Sequence, residues 1–415
     1  MSIQENALQD IRLEWAPEDT VGEAPADPAW NKFSDYIGSA PGWDGSVDTN
    51  EGNALGSGDV VEITRGQEEH SFSIEYWLQR ALTDGSGNAQ DPAAVPMIHD
   101  YSCELESHTL VFRRETDCGG NFDSGFRAYT VGLGQKPLSV TIPGDPGESA
   151  PQTLSLEYTG EYGNSHVIHQ PDTGTTVDVT NNGTTSVDVT IEDEGANTSE
   201  TLTVAGGATE TSLETYDDID AIYVASGTPD GDINVTDGSG TDILEEPLRG
   251  TGDTDPDFDV GIPPLGSGSH ASDIGNDPER FLGLNAGAEY GGSALADRLH
   301  SFDLSVELDN DDPAVVGTRQ GPIDEGTRTV TLDSDVAGPY ESTKQMENHL
   351  QGVTDDLDLF LGGTDSTSAA STVTLSDAQP TDVDEQTYGA GDANFIFGVT
   401  WLAQSATDNP LTVSS

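Results

Sequence analysis

Asp and Glu together number 76 in this chain of 415 residues, against 14 Lys and Arg, for a formal net charge of −62. The only lysines are Lys32, Lys136 and Lys344. At the ionic strength of ordinary cytoplasm so much like charge opposes any compact state. In molar salt the Debye length falls to roughly 3 Å and most of the repulsion is screened. The charge therefore reads as adaptation to brine. A disordered acidic chain is the other reading of high charge with low hydrophobicity, and strand-like alternation through most of the sequence weighs against it.

The same balance excludes classes of function. Holding nucleic acid by its phosphates needs a basic stripe, and no Lys/Arg cluster here is larger than Arg113-Arg114. The opening MSIQENALQDIRLEWAPEDT has neither a basic region nor an apolar run, and no long apolar stretch follows. Export by the usual signal and membrane insertion are therefore not expected. Cys103 and Cys118 are the only cysteines; their spacing permits one disulfide and equally permits two buried thiols.

The length allows two or three domains. Residues 1–57 carry Trp15, Trp30 and Trp43 among Pro, Gly and acidic residues, with one short helix expected where Asp27 and Pro28 open DPAWNKFSDYIG. This stretch reads as an N-terminal arm. From Asp59 the pattern is of strands: DVVEITR, HSFSIEYWLQRAL and ELESHTLVFRRET. Leu138, Val140 and Ile142 then alternate into a turn region, and Leu154, Leu156 and Tyr158 alternate out of it, as a hairpin requires.

Between 165 and 265 the texture changes to short Thr-, Asp- and Val-rich strands at regular intervals: TTVDVTNNG, TSVDVTIED, ETLTVAGG, TETSLE, DAIYVASG and DINVTDG. That rhythm predicts a small immunoglobulin-like β-sandwich inserted into a larger β domain made of 58–164 plus 266–415. In the second part, Phe302, Leu304, Val306 and Leu308 alternate, and strands are expected at DLDLFLGG, STVTLSDA and ANFIFGVTWLA. A helix capped by Ser342 would place Met346, Leu350 and Val353 on one face. The fold class expected is mainly β with one short helix.

Catalytic and cofactor chemistry finds little support. The acidic runs DTDPDFD (253–259) and LDNDD (308–312) supply oxygen ligands but miss the calcium-loop template, since Phe258 stands at the position of its glycine. His166 and His169 are the only close histidine pair, without zinc-site spacing. No nucleophile elbow, phosphate loop or dinucleotide fingerprint occurs. No cofactor, metal or enzymatic activity is expected.

Two stretches carry a resemblance. FRAYTVGLGQKPLSVTIPGDPGESAPQTLSLEYTGEYG (126–163) is similar to the strand, glycine, strand, turn, strand unit of the tail tube proteins of long-tailed phages and their archaeal counterparts. HSFDLSVELDNDDPAVVGTRQGPIDEGTRTVTLDSDV (300–336) resembles the same family in its strand ending at Asp309 to Asp312, its loop through Gln320-Gly321-Pro322 and its strand entered from Glu325-Gly326. The order of both stretches, with a helix near 342–353 between later strands, matches as well. The family pattern has no counterpart of the long N-terminal arm or of the 165–265 insertion, although extra immunoglobulin-like domains decorate some tail tubes.

The resemblance implies a tail-tube-type β-sandwich or half-barrel. It implies hexameric rings stacked into a tube, made in the host cytoplasm and ending in the virion tail of a virus infecting a salt-loving archaeon. Partners would be further copies of the chain and the tape measure, tail terminator and distal tail proteins, with viral DNA passing through the lumen without specific binding. Subunit contacts are expected at Trp15, Trp30, Trp43, Tyr76, Trp77, Arg113 and Arg114. A distal tail or baseplate protein of the same virion, and an acidic haloarchaeal cell-surface protein, are the alternative readings.

Overall fold

The computed structural model describes residues 11–35, 38–39, 41–53, 60–99, 105–116, 126–144, 152–160, 162–171, 174–193, 198–251, 260–264, 286–295, 299–311, 324–337, 339–384, 396–403 and 410–415. Eight strands come first: β1 (Ile11–Pro17), β2 (Asn31–Lys32), β3 (Gly42–Asn53), β4 (Val60–Trp77), β5 (His108–Thr116), β6 (Phe126–Gly144), β7 (Thr153–Gly160) and β8 (Tyr162–His169). Six short ones follow: β9 (Val177–Asn181), β10 (Val187–Asp193), β11 (Thr198–Val204), β12 (Thr209–Thr211), β13 (Ala221–Ser226) and β14 (Ile233–Asp237). The last eight are β15 (Gly287–Tyr290), β16 (Ser293–Ala294), β17 (Leu299–Asp311), β18 (Asp324–Ala337), β19 (Asp355–Leu361), β20 (Ser371–Val383), β21 (Ile396–Leu402) and β22 (Leu411–Ser414). The helices among the described residues are α1 (Val95–Ile98), preceded by a 3-10 turn at Pro92–Ala94, and α2 (Pro339–Gln351).

The protein is thus mainly β. The first eight and last eight strands form one 16-stranded antiparallel sheet, while the middle six form two three-stranded sheets, β11-β10-β13 and β12-β9-β14. Each short strand expected between 175 and 237 is present: alternating Val or Ile gives β9, β10 and β14 an apolar face, whereas β12 is exposed and is held by its pairing with β9.

One strand organises the large sheet. The first half of β6 lies between β5 and β8, with Val131 opposite Val111 on one side and Asn164 on the other. Its second half lies between β7 and β17, with Val140 opposite both Leu156 and Val306. The change of neighbours falls at Gly134, whose φ of 63° is a left-handed conformation that glycine adopts at little cost. The expected hairpin of Leu138, Val140 and Ile142 with Leu154, Leu156 and Tyr158 is this β6–β7 pair.

Two large apolar clusters hold the described residues together, beside a small one of Val95, Leu105 and Leu308. The larger gathers Phe72, Ile74 and Tyr76 of β4, Leu154, Leu156 and Tyr158 of β7, Leu304 and Val306 of β17, and Trp401 of β21. The smaller joins the two three-stranded sheets, through Val179, Val189, Ile191 and Val235, to Val111, Tyr129, Val131 and Ile168 of the large sheet. Each fully buried Leu or Ile in these clusters stabilises the fold by roughly 1.5–3 kcal/mol relative to exposure. The small sheets therefore pack directly onto the large one.

Two helix expectations are corrected. Among the described residues from Asp27 to Asp35 no helix forms: Asn31 and Lys32 pair with Trp15 and Glu14 of β1, and Phe33 donates its backbone N–H to the Leu13 carbonyl. Tertiary burial of Trp30 and Phe33 overrides the local capping signal. The later helix exists but begins at Pro339, before Ser342, and turns a different face inward. Gln345 is buried, Met346 packs on the larger cluster and the His349 ring lies 2.9 Å from the Pro380 carbonyl, whereas Leu350 is 76% exposed.

Candidate functional site

The seven residues expected at subunit contacts divide by burial. Trp15, Trp30, Tyr76 and Arg113 are buried within the chain itself. Trp15 packs against Phe33 and His108 at centroid distances of 6.5 and 4.8 Å. The Trp30 indole donates to the Pro264 carbonyl at 3.2 Å, across 234 positions of sequence. The Tyr76 hydroxyl donates to Asp91, whose other oxygen accepts from Arg80 at 3.3 Å. Burial, followed by the Asp91 charge and hydrogen bond, raises the Tyr76 phenol well above its ordinary range.

Trp43, Trp77 and Arg114 keep exposed surface. Trp43 is 39% exposed and lies parallel to the His70 ring, 6.2 Å away. Trp77 is half-buried at the end of β4. The Arg114 guanidinium sits over the Phe112 ring at 5.4 Å and is exposed. Arg113 and Arg114, adjacent in sequence, thus point to opposite faces of β5 as strand geometry demands.

Arg113 reaches the segment between β12 and β13. Its guanidinium donates to Asp220 at 2.9 Å, and both side chains are almost wholly buried. Arg127 of β6 also donates to Asp220 and to Asp218 at 2.6 Å, and to the Ile219 carbonyl at 3.2 Å. Two cations of the large sheet are thereby held by two carboxylates of the segment joining the small sheets. Sequence reading missed Asp218 and Asp220 because they stand among many other carboxylates, and nothing local distinguishes them.

Glu18 performs a comparable service for the first strand. Its carboxylate accepts from the Gly134 and Gly22 amides at 2.9 and 3.0 Å and from the Thr109 hydroxyl at 2.9 Å. Burial raises its carboxyl above the usual range, and these hydrogen bonds oppose that shift. The His108 ring nearby is enclosed by Trp15 and Tyr158, and burial lowers it to about 3.

Backbone pairing defines two open surfaces. β4 pairs with β7 only from His70 to Trp77, while its earlier residues, back to Val60, pair solely with β3 among the described residues. β17 and β18 likewise continue to Asp311 and Asp324, beyond Glu307, the last residue paired to β6, and Thr331, the first paired to β21. β4 runs parallel to β6 and β17 runs against it, so both hairpins overhang the same end of the sheet, the end where β6 bends. Among the described residues no further strand pairs with their outer N–H and C=O groups, which form ladders able to take another strand.

Cys103, Cys118 and residues 253–259 lie outside the described residues, as does Asp312. Of the histidine pair, His166 is buried on β8 and the His169 ring lies 3.7 Å from the Glu245 carboxylate. Among the described residues, no helix is long and apolar enough to cross a membrane. No protein-family model matches the sequence, and no curated protein matches it.

Proposed function

We propose that this chain is a structural subunit of a viral tail tube, a tail-tube-type β-sandwich whose copies close into six-membered rings and stack into the conduit for the genome. The observation that carries this reading is the pair of overhanging hairpins, β3–β4 and β17–β18, directed to one end of a single antiparallel sheet. Strands that, among the described residues, pair with nothing beyond each other are templates for a neighbouring copy. A head-to-tail contact of that kind closes into a ring when its rotation allows. The two three-stranded sheets, facing each other across a shared apolar cluster, are read as the inserted immunoglobulin-like sandwich, carried on the outside of the tube.

Electron microscopy of the purified protein in molar salt tests this reading. Rings or tubes of uniform diameter are expected. A protein that stays monomeric at all concentrations, or is present in only a few copies per virion, would overturn it in favour of a distal tail component.

A further inference from the structure

Of the 17 asparagines in the chain, three are followed two positions on by Ser or Thr with no proline between: Asn182-Gly183-Thr184, Asn197-Thr198-Ser199 and Asn234-Val235-Thr236. That spacing is the acceptor pattern for N-linked glycosylation. All three fall in the part of the chain that builds the two small sheets, and the rest of the sequence has none. Asn197 lies outside the described residues.

A three-residue pattern recurs readily in a Thr-rich stretch, so the side chains decide. Seven asparagines have described side chains, and five of them use the carboxamide within the fold. Asn31 donates to the Ala29 carbonyl at 3.0 Å, Asn88 to Asp84 at 2.9 Å and Asn348 to Gln345 at 3.2 Å, while Asn164 accepts from the Ser165 amide at 2.8 Å. Asn181 is buried, donates to the Thr185 carbonyl at 2.7 Å and accepts from the Gly183 amide at 2.9 Å. The other two, Asn182 and Asn234, are exposed, and their carboxamides make no hydrogen bond among the described residues. The two carboxamides that the fold leaves unused are thus the two that open an acceptor pattern.

Their placement leaves room for a substituent. Asn234 of β14 stands opposite Thr180 of β9, and the Asn182 backbone N–H donates to the Asp232 carbonyl at 2.9 Å. The two asparagines are therefore diagonal neighbours on one face of the β12-β9-β14 sheet. Val177, Val179, Ile233 and Val235 point from the opposite face into the apolar cluster. A sugar on the outer face meets solvent and displaces no packing. The Thr184 hydroxyl is held by Asp230 in the folded turn, so transfer to Asn182 precedes closure of that turn.

We propose that Asn182 and Asn234 are N-glycosylation sites, which take a sugar from a phosphate-activated glycosyl donor. The carboxamide nitrogen bonds to the anomeric carbon, the bond from that carbon to the donor's phosphate oxygen breaks, and the amide proton passes to a base of the transferase. The inference stands apart from the tail tube reading. A single sugar from a nucleotide-activated donor is compatible with assembly inside the host. An oligosaccharide from a lipid-linked donor requires export, so the size of the sugar distinguishes the two sources.

Mass spectrometry of proteolytic peptides from the protein purified from its natural source tests the inference. Glycosyl mass increments are expected on the peptides that contain Asn182 and Asn234, while the peptide with Asn88, which lacks the hydroxyl residue two positions on, stays unmodified. N182Q and T236A, made in the same cells, should each lose one increment, although Asn234 itself remains in T236A. Circular dichroism should be unchanged in both, since neither replaced side chain belongs to an apolar cluster. An increment of several sugars sustains the sites and counts against assembly inside the host, whereas a single sugar sustains both. Unmodified Asn182 and Asn234 in the natural protein, or Asn234 still modified in T236A, overturns the proposal and leaves the tail tube reading untouched.

Discussion

Arg113 of β5 donates to Asp220 at 2.9 Å across 107 positions of sequence, and both side chains are buried. The pair fastens the segment between the small sheets to the large sheet, and Arg127 shares the same carboxylate. D220A would leave two guanidinium groups without their common partner. The expected loss is about 3–5 kcal/mol, the usual cost of breaking a buried ion pair from one side. Denaturant unfolding in molar salt checks it, and a loss under about 1 kcal/mol, the range of an exposed pair, would contradict it.

The same contacts bear on removing the insertion. Replacing 170–250 by a short Gly/Ser linker uncovers Val111, Tyr129 and Val131, which share a cluster with the small sheets, and strands both arginines. We expect this deletion to yield little folded protein. Adding R113M, R127M and polar replacements of the uncovered apolar residues should restore solubility, and only then should tubes of the same inner but smaller outer diameter form. A deletion alone that folds and assembles normally would refute this account.

His108 provides a pH dependence with a definite sign. Burial holds its ring down to about 3 in the fold, against 6.5 for an unhindered imidazole. Between those values the unfolded chain binds a proton that the folded chain refuses, so stability falls as pH drops below 6.5. One pH unit below, the loss is about 1.4 kcal/mol. His108→Phe should remove that contribution, seen as a smaller difference in urea midpoint between pH 7.5 and pH 5.5. Equal differences in both proteins would show that His108 is not the source.

Shortening the β3–β4 hairpin separates folding from assembly. Removing 47–68 and joining Ser46 to Glu69, a cross-strand pair, through an Asn-Gly turn keeps the contacts of β4 with β7. The expected product is a folded monomer with unchanged circular dichroism that forms no tubes. Normal tubes from it would remove the hairpin from the assembly interface.

Salt should govern the whole molecule. With a net charge of −62, dialysis to about 0.1 M salt lengthens the Debye length to about 10 Å and restores repulsion among the carboxylates. Loss of β-structure by circular dichroism, or dispersal of assemblies by sedimentation, is expected. An unchanged protein would contradict the reading of the charge as adaptation to brine.

Strand identities were legible because the period of two is written in single positions, as in Val140 and Leu156, which lie opposite each other. The short strands β9, β10 and β14 were legible for the same reason. What local pattern does not carry is the partner. Trp15 and Trp30 looked uncovered because their cover comes from His108 and Pro264, far along the chain. Arg113 looked like a surface cation because Asp220 is one carboxylate among 76 acidic residues. The overhang of β3–β4 was invisible since it depends on where β7 ends. Asp303 and Asp333 stand opposite each other through register across β17–β18, which no single stretch encodes.

The strand β6 has neighbours on both sides along nearly its whole length, a different pair for each half. Neither half presents an outer edge from which its ladder can fray, and the first half carries Tyr129 and Val131 of the smaller cluster while the second carries Val140 and Ile142 of the larger. Amide protons along it should therefore exchange only through global unfolding, and the two clusters should melt as one cooperative unit. In that sense the chain has a single keel, and the overhanging hairpin ends, which lie beyond it, are free to open without capsizing the fold.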